Sequence, residues 1–237
     1  DLEQVDFHVR AVVHEVVDLL AERAQRKGLE IACLVHPDVP DCLRGDPGRL
    51  RQVLMNLVGN GVKFTEIGQI VVTVRRLPCE GCMRLRFEVD DTGIGIPAET
   101  QTRLFSSFTQ ADGSTTRKYG GTGLGLAISK LLVELMEGAI GVRSAQTEGS
   151  TFWFEVALEQ GAEVEPLPAL REHLGGVRIL VVDDNDTNRR IFELLASGWG
   201  AQVELAQDGA AGLAALRAAA QRSGLPDLVL VDFSMPG

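Results

Sequence analysis

Two short runs of this sequence place glycine at alternate positions, once directly after a strand-like segment and once directly before a helix-like segment. The first run is Asp91-Thr-Gly-Ile-Gly95-Ile-Pro97, and the second is Gly120-Gly-Thr-Gly-Leu-Gly-Leu126. Glycine lets backbone N–H groups approach a ligand closely, and N–H groups at the start of a helix favour an anion. Residues 91–125 show little regular periodicity, which in a compact domain is typical of a functional segment. We therefore expect strands and helices that present two loops to an anionic ligand.

The segments around these runs predict strands interleaved with three helices. Apolar residues recur at helical spacing from Val9 to about Lys27, and Asp46 before Pro47 is an N-cap followed by proline at the first helical position. A third helix is predicted from about Leu124 to Met136, after a short helical piece from about Pro97 to Phe105. The predicted strands are Leu29–Val35, Gln69–Leu77, Met83–Asp90, Ala139–Ser144 and Thr151–Leu158. This pattern predicts an α/β sandwich, with helices on one face of a mixed sheet, over residues 1–160.

The pattern changes after residue 160. Residues 161–176 begin with a segment rich in Glu and Pro, which we interpret as a linker. Val177 to Val182 is a continuous apolar run, typical of a strand that is buried on both faces. Helix, strand, helix and strand patterns follow in strict alternation at 187–197, 203–205, 209–222 and 228–231. This alternation predicts a partial doubly wound sheet of flavodoxin-like type over residues 177–237.

The composition excludes several classes of function. The formal net charge of -10 argues against binding to nucleic acid or to anionic lipid through general positive charge. No apolar run approaches the ~18 residues of a membrane-spanning helix, and the N-terminus lacks the pattern of a signal peptide. We expect no membrane contact within these residues and a cytoplasmic location, which is compatible with an inner-membrane anchor elsewhere in a longer protein.

One pair of cysteines has a spacing that metal sites use. Cys79-Glu-Gly-Cys82 is a CxxC sequence, but Cys33 and Cys42 do not supply a second close pair. The pair lies between two predicted strands, so we interpret it as the tip of a hairpin.

The helix that begins at Pro47 carries polar side chains along one edge. Asn56, Asn60 and Lys63 fall at i, i+4 and i+7 and therefore share one stripe. The neighbouring apolar stripe consists of Leu50, Val53, Leu54, Leu57 and Phe64. An amide oxygen suits Mg²⁺, which is shared with substrate phosphates, and a lysine ammonium suits the phosphates themselves. This spacing alone also fits a solvated helix edge, but the two glycine runs favour a nucleotide site, in which Asp91 can accept a hydrogen bond from an adenine amino group.

Four motifs in this order resemble the N, G1, F and G2 boxes of the histidine kinase ATP-binding domain. They are Asn56-Leu-Val-Gly-Asn60-Gly-Val-Lys63-Phe64-Thr65, Asp91-Thr-Gly93-Ile-Gly95, Leu104-Phe105-Ser-Ser-Phe108 and Gly121-Thr-Gly123-Leu-Gly125-Leu126. The resemblance covers about residues 1–160. It implies the Bergerat-type α/β sandwich that these kinases share with gyrase and the Hsp90 chaperones.

The same resemblance implies roles for individual residues. It makes Asn56, Asn60 and Lys63 the catalytic set, with Mg²⁺ held by Asn60, and it assigns adenine recognition to Asp91. Glycines of the G2 box become the hinge of a lid over the triphosphate, in which basic residues are candidates for phosphate contacts. The implied ATP-binding residues are Asn56, Asn60, Lys63, Asp91, Gly93, Gly95, Ile96, Phe105, Phe108, Arg117, Lys118, Gly121, Thr122, Gly123, Leu124, Gly125 and Thr151.

Asn56 discriminates between branches of that superfamily. The members that hydrolyse ATP carry a glutamate general base one helical turn before the metal-binding asparagine, and an amide cannot accept a proton at neutral pH. We therefore expect the phosphoryl group to be kept for a protein nucleophile. Gly61 in place of the usual alanine and Ser106-Ser107 in place of Glu-Pro depart from the family pattern, but neither removes a ligand.

The chain lacks the acceptor that such a kinase phosphorylates. Histidine kinases modify a histidine on a separate dimerisation helix, in a segment resembling Ser-His-Glu-Ile-Arg-Thr-Pro, and none of His8, His14, His36 and His173 lies in such a string. The resemblance thus implies a dimerisation or histidine-phosphotransfer domain as partner. The fragment is expected to bind ATP without phosphorylating itself.

Acidic residues follow two predicted strands of the second segment. Asp183 and Asp184 follow the first strand and Asp232 follows the third, so three carboxylates are expected at the C-terminal edge of a parallel sheet, where they suit Mg²⁺. The segment resembles a response-regulator receiver domain, which implies that Asp232 is the phosphoacceptor. The remaining receiver residues would lie beyond Gly237, so we expect this half-sheet to expose apolar edges and to be partly disordered or to pack on another surface.

These inferences leave three hypotheses. The leading one is the ATP-binding catalytic portion of a hybrid sensor histidine kinase, followed by the start of its receiver. Phosphate would pass from ATP to a histidine outside this chain, then to Asp232, and from there to a downstream phosphotransfer or response-regulator protein. A second is a nucleotide-sensing interaction module whose lid moves without phosphotransfer. A third is a Bergerat-fold ATPase, which Asn56 argues against.

Overall fold

The chain forms two compact units in a computed structural model, Asp1–Val164 and Glu165–Gly237. The structure describes residues 2–79, 83–106, 124–162, 174–222, 224–233 and 235. Cys82 lies outside these residues, whereas Cys79 closely follows the end of one strand of the predicted hairpin.

A seven-stranded mixed sheet forms the centre of the first unit. Its strands are β1 (Val5–His8), β2 (Leu29–Val35), β3 (Cys42–Gly45), β4 (Gly68–Leu77), β5 (Met83–Asp91), β6 (Ala139–Ser144) and β7 (Ser150–Gln160). They lie in the order β1-β3-β7-β5-β4-β2, with β6 paired to the first half of β7. Among the described strands of this sheet, only β2 and β4 pair in parallel, and the other pairs are antiparallel. The predicted mixed α/β architecture is confirmed.

Two strands of this sheet were not predicted. β1 and β3 have four residues each, pair with one another, and join the sheet where Leu43 and Arg44 face the end of β7. Segments this short contain too few alternations to be recognised from sequence, so only their long-range pairing defines them.

Helices cover one face of the sheet. They are α1 (Val9–Gln25), α2 (Pro47–Phe64), the single turn α3 (Ala98–Gln101) and α4 (Gly125–Leu135). The predicted stripe of α1 is entirely buried, and that of α2 is buried except for Phe64, which is half-buried. The α3 helix is shorter than the predicted piece. Facing strand residues complete the core, and the rings of Phe87 and Phe154 stack with centroids 4.7 Å apart.

The opposite face of the sheet carries charged side chains. Glu88 forms ion pairs with Arg75, Arg86 and Arg143 at 3.2, 3.0 and 2.9 Å. Arg86 also forms an ion pair with Glu155 at 2.6 Å. Alternation along the strands therefore places apolar side chains toward the helices and charged ones on the other side. This period of two explains why one of two neighbouring residues faces the helices and the other does not.

The second unit contains three parallel strands and two helices. These are β8 (Arg178–Val182), α5 (Asp186–Gly198), β9 (Gln202–Ala206), α6 (Gly209–Arg222) and β10 (Leu228–Val231). The strand order is β10-β8-β9, so the first strand is central. The predicted alternation of strands and helices is present over these residues.

Candidate functional site

The α2 helix is fixed at both ends. Asp46 caps its start, because its carboxylate accepts hydrogen bonds from the backbone N–H of Arg49 at 2.9 Å and of Glu3 at 3.0 Å. At its end, Lys27 Nζ donates to the carbonyl oxygens of Val62 at 2.7 Å and Lys63 at 3.1 Å, among others. A cation on the last carbonyl groups is favourable, because the helix dipole is negative at that end. The polar edge of α2 is therefore held in one position.

Asn56, Asn60 and Lys63 lie along this edge and are all partly exposed. Asn56 Nδ2 donates a hydrogen bond to Ser129 Oγ of α4 at 2.8 Å. The start of α4 also lies close to Asn56, since a Cβ atom added to Gly125 would lie 2.3 Å from Asn56 Oδ1. Gly125 thus lets the start of α4 approach Asn56 without displacing its side chain. The pKa of Lys63 is lowered, mainly because the ammonium group is partly desolvated and also because Arg23 is near.

Asp91 ends β5 and is only 9% exposed. Its Oδ1 accepts a hydrogen bond from the backbone N–H of Gly93 at 2.9 Å, and the backbone N–H of Ser150 also bonds the carboxylate. Burial raises the pKa of Asp91 to about 6, the two backbone N–H groups oppose that rise, and the neighbouring charge of Asp90 adds to it. A buried carboxylate at a strand end, fixed by backbone donors, is a candidate for recognising a hydrogen-bond donor of a ligand.

The loop after Asp91 packs against the turn between β6 and β7. Gly95 has a φ of +68°, and a Cβ atom there would lie 1.9 Å from the carbonyl oxygen of Ala145. The backbone N–H of Ile96 donates to Ser144 Oγ at 2.8 Å. Glycine is therefore required at position 95 both by the backbone conformation and by the close approach of the turn.

Thr151, a member of the predicted ATP set, lies on the charged face of the sheet and not on the face of Asp91. It lies opposite Asp90 on the neighbouring strand, and its hydroxyl donates to the Asp90 carboxylate. Ser150 is opposite Asp91 instead, is 8% exposed, and lies 3.1 Å from Ser144 Oγ. Because side chains alternate between faces, a one-residue difference in register exchanges the two. The sequence analysis did not identify Ser150; a signal for it is its place directly after the turn glycine, Gly149.

The other predicted residues divide into two sets. Ile96 and Phe105 are half-buried and pack against the main core, and Leu124 is half-buried directly before α4. The remaining members lie outside the residues that the structure describes; they are Phe108, Arg117, Lys118, Gly121, Thr122 and Gly123.

The second unit brings three carboxylates together. Oxygen atoms of Asp183, Asp184 and Asp232 lie within 4.8 Å of one another at the C-terminal ends of β8 and β10. Asp183 is 4% exposed and accepts a hydrogen bond from the backbone N–H of Asn185 at 2.8 Å. Carboxylate oxygens at this spacing are a donor set that Mg²⁺ accepts.

Comparison with known proteins places the first unit in a family. Residues 45–160 match the model of the histidine kinase-, DNA gyrase B-, and HSP90-like ATPase family. The sensor histidine kinase AruS of Pseudomonas aeruginosa is 44% identical over 236 residues, which are 99% of this chain and 23% of AruS. The hybrid signal transduction histidine kinase K of Dictyostelium discoideum is 36% identical over 250 residues, which are 99% of this chain and 20% of that protein.

A solved structure agrees with these relatives. Full-length ShkA in complex with AMPPNP matches with a TM-score of 0.80 at 33% identity, over 100% of this chain and 46% of that chain. Residues 45–160 therefore belong to the histidine kinase-, DNA gyrase B-, and HSP90-like ATPase family. Within that family they form the catalytic domain of a histidine kinase, homologous to sensor kinases that are ATP-dependent protein-histidine kinases.

The chain spans about a quarter or less of the length of the two curated relatives. Among the described residues, none of the helices has the length and the apolar composition that crossing a bilayer requires.

Proposed function

We propose that the first unit binds ATP with Mg²⁺ along the edge of α2 and the loop after β5. The observation that carries this proposal is Asp91, a buried carboxylate held by two backbone N–H groups. It lies beside the helix that carries Asn56, Asn60 and Lys63, since a Cβ atom added to Gly61 of that helix would lie 3.6 Å from Asp91 Cβ. An adenine amino group can donate to this carboxylate, which selects adenine over a base that presents a carbonyl group there.

The polar edge of α2 and the second glycine run would then bind the phosphates. Asn60 is partly exposed, and its amide oxygen suits Mg²⁺, so it would hold the ion together with phosphate oxygens. The ion supplies positive charge that neutralises the triphosphate. Lys63 provides a further cation, and Gly125 brings the start of α4, with its backbone N–H groups, to Asn56. Arg117, Lys118 and the glycines at 121 and 123 are proposed to complete the contacts from the lid.

Two adjacent carboxylates allow a matched test of the base site. Asp91→Ala is expected to weaken binding of ADP, measured by calorimetry, by roughly 10- to 100-fold, the effect of removing a hydrogen bond to a charged group. Asp90→Ala is the control, because Asp90 lies on the opposite face of the sheet and bonds Thr151. Equal affinities of both variants and the wild type would reject the assignment of Asp91 to adenine.

We further propose that the bound ATP donates its γ-phosphoryl group to a histidine on a dimerisation domain, as in the catalytic portion of a hybrid sensor histidine kinase. Asn56 supports donation over hydrolysis, because its amide cannot act as a general base and is already bonded to Ser129. A nucleotide-sensing module that transfers no phosphate is the alternative. The two differ in the fate of the γ-phosphate.

An apolar stripe on α4 supports a protein partner beside this site. Ile128, Leu131 and Leu135 are 44%, 61% and 56% exposed and share one side of the helix whose start approaches Asn56. Such a stripe favours a partner with its own apolar helix face, which fits a dimerisation domain. Leu131→Glu should reduce phosphoryl transfer to that domain while ADP affinity stays at the wild-type value; a parallel loss of ADP affinity would contradict this role.

For the second unit we propose the N-terminal half of a receiver domain, with Asp232 as phosphoacceptor and Mg²⁺ held by Asp183, Asp184 and Asp232. The parallel order β10-β8-β9 and the convergence of the three carboxylates support it. Asp232→Asn should abolish labelling of this unit by a phosphorylated dimerisation domain. Asp186→Asn, a neighbouring acid outside the cluster, is the control and should keep the label.

A further inference from the structure

Thr65 carries a buried hydroxyl group that no group in the described parts of the chain satisfies. The residue is 0% exposed, and its Oγ1 has no hydrogen-bond partner among the described residues. Its peptide groups are both used, because the N–H donates to the carbonyl of Gly61 at 3.0 Å and the carbonyl accepts from Lys27 Nζ at 3.0 Å. A buried polar atom without a partner destabilises a fold, so such an atom calls for an explanation.

The hydroxyl lies next to the carboxylate of Asp91. A Cβ atom added to Gly93 would be 3.0 Å from Thr65 Oγ1, 2.8 Å from Asp91 Oδ1 and 2.7 Å from the carbonyl oxygen of Phe64. Both side-chain oxygens therefore lie within 3.0 Å of one point beside the glycine. The end of α2 and the end of β5 contribute to the same small polar space.

Two other hydroxyl groups in the region around Asp91 have hydrogen-bond partners within the protein. Thr92 Oγ1 accepts from the backbone N–H of Gln69 at 3.0 Å, and Ser144 Oγ donates to the carbonyl of Gly149 at 2.6 Å. A valine has nearly the shape of threonine without a hydroxyl, so packing alone does not account for the polar atom of Thr65. The exception is therefore specific to the position beside Asp91.

The geometry points to Thr65 as a second base-recognition residue, whose hydroxyl completes its hydrogen bonding when the adenine base binds beside Asp91. This inference rests on the proposed binding of ATP. A phosphate would be repelled by the carboxylate at the same place, whereas the edge of a purine presents uncharged donors and acceptors. The hydroxyl can donate to a ring nitrogen while Asp91 accepts from the amino group, so the two side chains read complementary features.

Two substitutions of Thr65 in the full chain separate this role from a structural one. Thr65→Val removes the hydroxyl, and Thr65→Ser keeps it. We expect Thr65→Val to weaken ADP binding about tenfold, or about 1.4 kcal/mol, while its urea midpoint without nucleotide equals or exceeds that of the wild type. Thr65→Ser should bind ADP with about the wild-type affinity. Thr73→Val is the control. It makes the same change on β4 opposite Glu88, on the charged face of the sheet, and should leave ADP affinity unchanged.

The outcomes distinguish this inference from the proposed function. Wild-type binding of ADP with an unchanged affinity of Thr65→Val would overturn the inference alone. A lower urea midpoint of Thr65→Val in the absence of nucleotide would also overturn it, because the hydroxyl would then be satisfied inside the free protein. Failure of the wild type to bind ADP would overturn both the role of Thr65 and the proposed ATP site.

Discussion

Asp91→Asn should make the free first unit more stable at neutral pH while it weakens nucleotide binding. A pKa raised from 3.8 to about 6 corresponds to about 3 kcal/mol spent on keeping the carboxylate ionised in the folded state. Asparagine removes that charge and retains an oxygen that can accept from the N–H of Gly93. The gain is thus at most about 3 kcal/mol, because the amide replaces one acceptor oxygen with a donor.

The pH dependence gives the sign. Because the folded pKa of Asp91 lies above its unfolded value, protonation of this carboxyl group stabilises the folded state. The stabilisation is fully present below about pH 3.8 and is lost as the pH rises through about 6. The advantage of Asp91→Asn should therefore be largest near pH 7.5 and should shrink as the pH falls toward 4. As the pH falls from 7.5 toward 4, the affinity of the wild type for nucleotide should also fall, since the ionised carboxylate is the better acceptor for an amino group.

Urea denaturation followed by the fluorescence of Trp153 measures this directly. Trp153 lies on β7 of the first unit, and a Trp199→Phe background removes the signal of the second unit. The difference in unfolding free energy between Asp91→Asn and wild type is recorded from pH 4.5 to 7.5, so other carboxylates cancel. A difference that does not change with pH, or wild-type affinity for ADP in the variant, would refute the reasoning.

Four further substitutions test α2 and its contacts. Gly59→Ala should stabilise the protein by about 0.5–1 kcal/mol, because its Cβ enters open space within α2, whereas Gly61→Ala should gain less, because its Cβ meets Ile70 at 3.4 Å; urea denaturation compares them. Gly125→Ala should cost about 1 kcal/mol and reduce ADP affinity in calorimetry, because its Cβ displaces the side chain of Asn56. Lys27→Met should lower the unfolding free energy by about 1–2 kcal/mol by removing the cation from the end of α2; no change would show that the cap is unimportant.

Local periodicity was enough to predict most of the elements. The stripe of α1 from Val9 to Ala24 is buried as expected, because each helix position repeats within a few residues of sequence. The Asp46-Pro47 signal placed the start of α2 correctly, since a cap is formed by neighbouring residues. The strands β1 and β3 could not be predicted in this way, because they exist only through pairing with distant parts of the chain.

The pairing register of the strands, which the sequence does not reveal, limited the prediction of the site residues. Asp91 and Gly125 both lie near α2, the helix that carries Asn56. Ser150, which was not predicted, lies opposite Asp91 in place of Thr151, because the face that a strand residue occupies depends on its pairing with β5. The unpaired hydroxyl of Thr65 has no sequence signal at all, since it is defined by burial and by the absence of a partner among the described residues.

The fate of the γ-phosphate tests the central claim most directly. The full chain is mixed with γ-labelled ATP, Mg²⁺ and a separately prepared dimerisation domain that bears the acceptor histidine, with Asp91→Ala as the control. We expect an acid-labile label on the dimerisation domain that is absent with the control variant. Label that remains in ATP despite nucleotide binding, or that is released as inorganic phosphate, would contradict the account.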